Sequence, residues 1–128
     1  MAKLRLFLGD DHTLVRQGLR KILEERQDWE VVGEADDGRS AVRKVAALHP
    51  DVAVLDIGMP LLNGIDATRQ IVRKSAGVKV LILSMYSDEQ YVRNALDAGA
   101  RGYILKNAIE NDLVRAVKAV ASGEQYLS

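Results

Sequence analysis

The chain has 128 residues, 48% of them hydrophobic, with 18 basic side chains against 18 acidic ones and no cysteine. This length and composition suit one compact domain with a single core. The balanced charge gives no global footprint for nucleic acid or an anionic membrane. The lack of thiols excludes disulfides and thiolate metal centres, and fits a reducing compartment. No apolar run approaches the roughly 20 residues that span a bilayer. The first apolar run meets Asp10 and Asp11 too soon for a secretory signal. A cytoplasmic location with no membrane contact is the expectation.

In chain order, Leu4–Leu8 reads as a first strand. His12–Glu25 follows as a helix with Val15, Leu19, Ile22 and Leu23 on one stripe. Glu30–Glu34 reads as a second strand, and Arg39–Leu48 as a helix with Val42, Val45 and Ala46 inward. Val52–Leu55 is a third strand and Gly64–Lys74 a third helix. Val78–Leu83 and Ser87–Ala98 come next, with Ser87 as a candidate cap and Gln90 three places on. Gly102–Leu105 and Ile109–Ser122 complete the series, the last helix carrying Leu113, Val117 and Val120. Gly77, Gly99 and Gly123 stand where helices should end. The first, third and fourth strands are almost wholly apolar, as expected of parallel strands covered on both faces. Five strand–helix repeats predict a doubly wound α/β domain, whose functional crevice lies at the carboxyl ends of the strands.

Those ends carry Asp10 and Asp11, then Asp56, Ser84 and Lys106. Taken singly each has an ordinary reading. A strand-end aspartate is usually a turn or cap residue, Asp11 could cap the first helix, Lys106 could be a solvated lysine and Ser84 a loop hydroxyl. Together they make coherent chemistry. Three close carboxylates repel one another unless a proton or cation intervenes. Oxygen donors without His or Cys favour a hard cation, Mg²⁺ above Zn²⁺. Lys106 offers a compact positive charge and Ser84 a hydroxyl, and a carboxylate can accept a phosphoryl group as an acyl phosphate.

The stretches Gly9-Asp10-Asp11-His12, Leu55-Asp56-Ile57-Gly58-Met59-Pro60 with Asn63-Gly64, Leu83-Ser84, and Gly102-Tyr103-Ile104-Leu105-Lys106 resemble the receiver domain of two-component response regulators. Leu83-Ser84-Met85-Tyr86 and Gly123-Glu124-Gln125-Tyr126-Leu127-Ser128 resemble the NarL/FixJ-like subgroup, in which a LuxR-type helix-turn-helix DNA-binding domain follows the receiver. The resemblance implies a flavodoxin-like five-stranded sheet of order 2-1-3-4-5 with five helices. It implies that a sensor histidine kinase phosphorylates Asp56, and that Asp10, Asp11, Asp56 and the backbone carbonyl of Gly58 hold Mg²⁺. Lys106 would pair with the phosphoryl group, Ser84 would move toward it, and Tyr103 would be the switch aromatic. The readout would be a phosphorylation-dependent homodimer, through the fourth helix, fifth strand and fifth helix or through the first and fifth helices. Residues 1–122 would form the receiver and 123–128 the start of a linker, the chain being a piece of a longer protein that meets DNA through its missing domain.

The sequence departs from the family pattern at four places. Asn107 follows the lysine where a proline is common, and Ser84 replaces the commoner threonine. Gly58 brings no side chain, and Met85 and Tyr86 are bulkier than usual beside the switch hydroxyl. His12 reads as a helix-start residue packing near the site, neither ligand nor base, and His49 as a solvated helix end.

Three rival functions are weaker. A haloacid-dehalogenase-like phosphatase needs an acid two residues after its nucleophile, and that position is Gly58, so no steady turnover is expected beyond Mg²⁺-dependent autophosphorylation and slow autodephosphorylation. A nucleotide or flavin module needs glycines and free N–H groups in the first strand–helix turn, which here holds carboxylates. A degenerate receiver acting by interaction alone would not need all five site residues.

Overall fold

A computed structural model describes residues 2–128. The elements are β1 (Leu4–Gly9), α1 (Thr13–Glu24), β2 (Trp29–Ala35), α2 (Gly38–Leu48), β3 (Val52–Asp56), α3 (Gly64–Lys74), β4 (Lys79–Ser84), α4 (Glu89–Asp97), β5 (Gly102–Leu105), α5 (Ile109–Ala121) and β6 (Tyr126–Leu127). One turn of 3-10 helix, Lys106–Ala108, joins β5 to α5. Every strand pairing is parallel, in the order β2-β1-β3-β4-β5-β6. The first five strands have the expected flavodoxin-like order, and β6 is a short addition at the edge. No helix among the described residues is long and apolar enough to cross a membrane.

Alternation along the central strands builds a core on each face. Ala53 and Leu55 of β3 with Val80 and Ile82 of β4 meet Val42 and Val45 of α2 and Ile65 and Ile71 of α3. Val52 and Val54 with Leu81 and Leu83 meet Leu19 and Leu23 of α1 and Leu113, Val117 and Val120 of α5. All five residues of β3 are buried, so Asp56 is carried into the molecule by the apolar run before it.

Helix ends follow local chemistry. Asp37 and Asn63 cap α2 and α3 through side-chain bonds to the N–H groups of Ser40 and Asp66. The expected cap at Ser87 is corrected: Asp88 is the N-cap, because the N–H groups of Tyr91 and Val92 both bond its carbonyl, and its side chain makes no capping bond. The first helix starts at Thr13, with His12 at its N-cap. His49 ends α2 in the left-handed region, at φ 47°, and its carbonyl accepts a bond from Arg5. Residues 123–128, expected to begin a linker, lie along the sheet edge: the Tyr126 N–H bonds Arg101 and the Ser128 N–H bonds Tyr103. A strand of two residues carries no periodicity for a sequence to display.

Gly64 fixes the close approach between α3 and the end of β3. Its N–H donates to the Ile57 carbonyl at 2.9 Å, and a Cβ there would collide with the main-chain carbonyl of Asp56. Backbone cannot swing aside as a flexible side chain can. Gly64→Ala is expected to cost about 1–3 kcal/mol, seen as a lower urea midpoint at unchanged slope. A midpoint equal to wild type would mean that the β3–α3 junction is loose.

Candidate functional site

Asp10 follows β1 and is wholly buried. Its N–H bonds the Ala35 carbonyl at the end of β2, and its Oδ1 accepts the His12 N–H at 2.9 Å. Asp56 ends β3 with 5% of its surface exposed. Lys106, one residue past β5, places Nζ 3.2 Å from Asp56 Oδ1 and 3.5 Å from Asp10 Oδ2. Asp11 is more open and lies 3.0 Å from His12 Nδ1 through its Oδ1. Ligand atoms of Asp10, Asp11, His12 and Asp56 all fall within 4.8 Å of one another. The fold thus gathers the acidic pair, Asp56 and Lys106 at one point.

Charge at this point is unbalanced. Burial pushes the Asp56 carboxyl above the usual range, and the neighbouring Asp10 adds to the effect, while Lys106 and the Gly58 N–H pull the other way. Burial draws the Lys106 ammonium down, but Asp56 and Asp10 together outweigh it and leave it raised. One lysine therefore faces two buried carboxylates. Asp10 Oδ2 is buried and makes no hydrogen bond, meeting only the Lys106 ammonium at 3.5 Å. An orphaned carboxylate oxygen beside two further carboxylates fits a hard divalent cation, which accepts oxygen donors in the open geometry that Asp11 leaves.

Ser84 ends β4, which lies between the strands bearing Asp56 and Lys106. It is buried, and its Oγ accepts the Tyr86 N–H at 2.9 Å. Ser84 and Lys106 line one open cavity of about 320 Å³ with Met85, Ser87, Leu105 and Asn107. Tyr103 is also buried; its hydroxyl donates to the Tyr86 carbonyl at 2.5 Å, and burial holds that hydroxyl above its ordinary range. The Tyr86 backbone thus serves both switch candidates. The Tyr86 ring stacks on Tyr91 of α4 at 4.3 Å and 9°. The Lys106–Asn107 bond is trans, as are all peptide bonds among the described residues.

Gly58 follows closely on Asp56, and a Cβ added there would sit 3.6 Å from Asp56 Oδ2. His12 lies near the site as expected, whereas Arg16 escapes a reading by residue type. His12 contacts both acidic residues, although two-thirds of its side chain is exposed. Arg16 donates from Nη1 to the Asp10 carbonyl at 2.6 Å. The only signal for Arg16 is position: it lies five residues after the acidic pair, at the start of an amphipathic helix.

The family model of the response regulator receiver domain matches residues 6–118. The transcriptional regulatory protein DegU of Brevibacillus brevis is 43% identical over 125 residues, covering 98% of this chain and 53% of that protein. The receiver domain of the response regulator NarL of Mycobacterium tuberculosis superposes with a TM-score of 0.92 at 36% identity, over 97% of this chain and 100% of that one. A LuxR-family two-component response regulator from Aurantimonas sp. SI85-9A1 superposes with a TM-score of 0.94 at 35% identity, over 99% and 91% of the two chains. The chain spans between half and three-fifths of the length of curated relatives it matches.

The raised Asp56 carboxyl gives a prediction with a definite sign. Between its unfolded and folded titration ranges the folded state binds more protons, so this group's contribution to stability falls as pH rises through that window. Without divalent cations, Asp56→Asn should raise the thermal midpoint by about 2–4 °C near neutral pH. The gain should shrink as pH is lowered toward the unfolded carboxylate range. Circular dichroism melts across pH test this, and a gain that is absent or independent of pH contradicts it.

Proposed function

The chain belongs to the response regulator receiver domain family, and from that premise we propose that it is a phosphorylation-operated switch with Asp56 as the phosphoacceptor. It is a receiver domain of a LuxR-family regulator in a two-component system, and regulators of this kind work with histidine kinases. The observation that carries the proposal is the shared contact of Lys106 with the buried carboxylates of Asp56 and Asp10.

On this reading Asp10, Asp11, Asp56 and the Gly58 carbonyl would hold Mg²⁺, which would offset the repulsion among the carboxylates and supply positive charge beside the phosphoryl group. An oxygen of Asp56 forms the new bond to phosphorus as the bond from phosphorus to the donor imidazole nitrogen breaks, and that electron pair leaves with the imidazole. The Lys106 ammonium, already raised and fully protonated near neutrality, takes up one of the phosphoryl oxygens. Ser84 then turns its hydroxyl hydrogen from the Tyr86 carbonyl, 3.5 Å away, to a second oxygen. Losing that partner frees the β4–α4 loop, whose Tyr86 carbonyl is also held by Tyr103. Phosphorylation thereby biases two arrangements of the loop, α4 and β5.

Gly58 supplies no acid beside Asp56, which opposes rapid hydrolysis and favours a signalling role over a phosphatase; slow self-catalysed loss of the phosphoryl group remains. The downstream event is homodimerisation and control of transcription in the cytoplasm. Residues 1–122 act as the receiver, and 123–128 lead toward a C-terminal helix-turn-helix domain that contacts DNA. DegU bears the name of a transcriptional regulator, which supports this output.

Intact-mass measurement after incubation with acetyl phosphate tests the proposal. Wild type should gain one phosphoryl group in Mg²⁺ and none in excess chelator. Asp56→Ala should gain none, and Lys106→Met should be slowed by about 10-fold or more. Equal labelling of Asp56→Ala and wild type would place the acceptor elsewhere.

A further inference from the structure

Asp10 is held at three points, and one of them is a side chain outside the acidic cluster. Its N–H is tied to Ala35 and its Oδ1 to the His12 N–H, while its carbonyl accepts Arg16 Nη1 at 2.6 Å. Arg16 Nε in turn donates to Glu34 Oε1 at 3.1 Å. Glu34 stands on β2 opposite Leu8, next to the pair Gly9 and Ala35. The guanidinium also lies 3.4 Å from Thr13 Oγ1, and only 16% of the Arg16 side chain is exposed. It joins the β1–α1 turn to α1 and β2 through its rigid fork of donors.

We propose that Arg16 is a positioning residue for the cation site: by tying the Asp10 carbonyl to Glu34 it fixes the direction in which the Asp10 carboxylate faces the metal. This inference rests on the reading that Asp10, Asp11 and Asp56 hold Mg²⁺. Mg²⁺ demands near-octahedral geometry with short oxygen distances, so a small rotation of one ligand is felt strongly. The side chain of a residue bonded at its own N–H, carbonyl and carboxylate has little freedom to rotate.

The charge pattern separates this role from simple attraction. A bare guanidinium behind a dication site would repel the ion. Here Arg16 and Arg20 are matched by Glu34 and Glu24, with Arg20 Nη1 2.6 Å from Glu34 Oε2 and Arg20 Nε 3.1 Å from Glu24 Oε1. Two positive and two negative side chains cancel, so the network acts through geometry and adds no net field. A surface pair such as Arg69 and Asp66 on α3 has no such connection to Asp10.

The test is calorimetric titration of Mg²⁺ into the purified protein, with folding checked by circular dichroism. Arg16→Met should weaken Mg²⁺ binding about 10-fold, and Glu34→Gln, which keeps the shape but loosens the guanidinium, about 3-fold. Arg16→Lys should fall between Arg16→Met and wild type, because an ammonium cannot hold both partners in the same fork. Arg69→Met should bind as wild type does. Phosphorylation of Arg16→Met by acetyl phosphate should recover toward the wild-type rate at saturating Mg²⁺, which a lost acceptor could not do. If Arg16→Met fails to fold, Glu34→Gln decides. Folded variants that bind Mg²⁺ as tightly as wild type overturn the inference alone, whereas a wild type that binds no Mg²⁺ overturns the metal reading beneath it.

Discussion

Two buried carboxylates share one ammonium, and much of the molecule is arranged around that imbalance. Asp10 and Asp56 are delivered by adjacent strands, β1 and β3, whose parallel register ends both on the same edge. Lys106 arrives from β5 and must cross the end of β4 to reach them. Strands are spaced about 4.8 Å apart, so only a long side chain can span the gap from β5. Every apolar residue of β3 contributes by holding Asp56 in a place water barely reaches. The cost of that burial is a carboxyl with a raised proton affinity and an orphaned oxygen on Asp10. A charge-bearing ligand that relieves both is therefore worth more here than at the surface.

Contacts run from the site to the α4 face. Ser84 lies between Asp56 and Lys106 in strand order, and its hydroxyl is bonded to the Tyr86 backbone. Tyr86 is in turn bonded to Tyr103 of β5 and stacked on Tyr91 of α4. A change in the partner of one hydroxyl can thus alter the start of α4 without rearrangement of the core. Helix α4 buries only Ala95 fully, so little packing resists its movement. The opposite face, held by α1 and α5, packs on Leu19, Leu23, Leu113 and Val117.

Most of the fold was legible because the apolar strands and striped helices are strongly periodic. Asp10, Asp11, Asp56, Ser84 and Lys106 could be found because each directly follows or ends an apolar run. What the sequence could not display depended on contacts between distant segments. That Asp10 Oδ2 is buried with no hydrogen bond, and meets only the distant Lys106 ammonium, emerges only in the folded chain. Arg16 and Glu34 are ordinary charged residues 18 positions apart, and nothing in their spacing reveals that one guanidinium links them to a main-chain carbonyl. Ser87 carried a plausible cap signal, yet the carbonyl of Asp88 takes the first helical bonds. β6 was invisible for want of length, and Asn107 gave no hint that its backbone would continue into a 3-10 turn.

Under the proposed function, a divalent cation relieves the electrostatic stress on the acidic cluster. Thermal unfolding with and without Mg²⁺ at matched ionic strength tests it most directly, in wild type and in Asp10→Asn. Because a ligand bound only to the folded state stabilises by about 2.7 kcal/mol at 100 times its dissociation constant, the account predicts a clear rise in the wild-type midpoint and a much smaller one in Asp10→Asn. No rise in wild type, or an equal rise in both proteins, would contradict it.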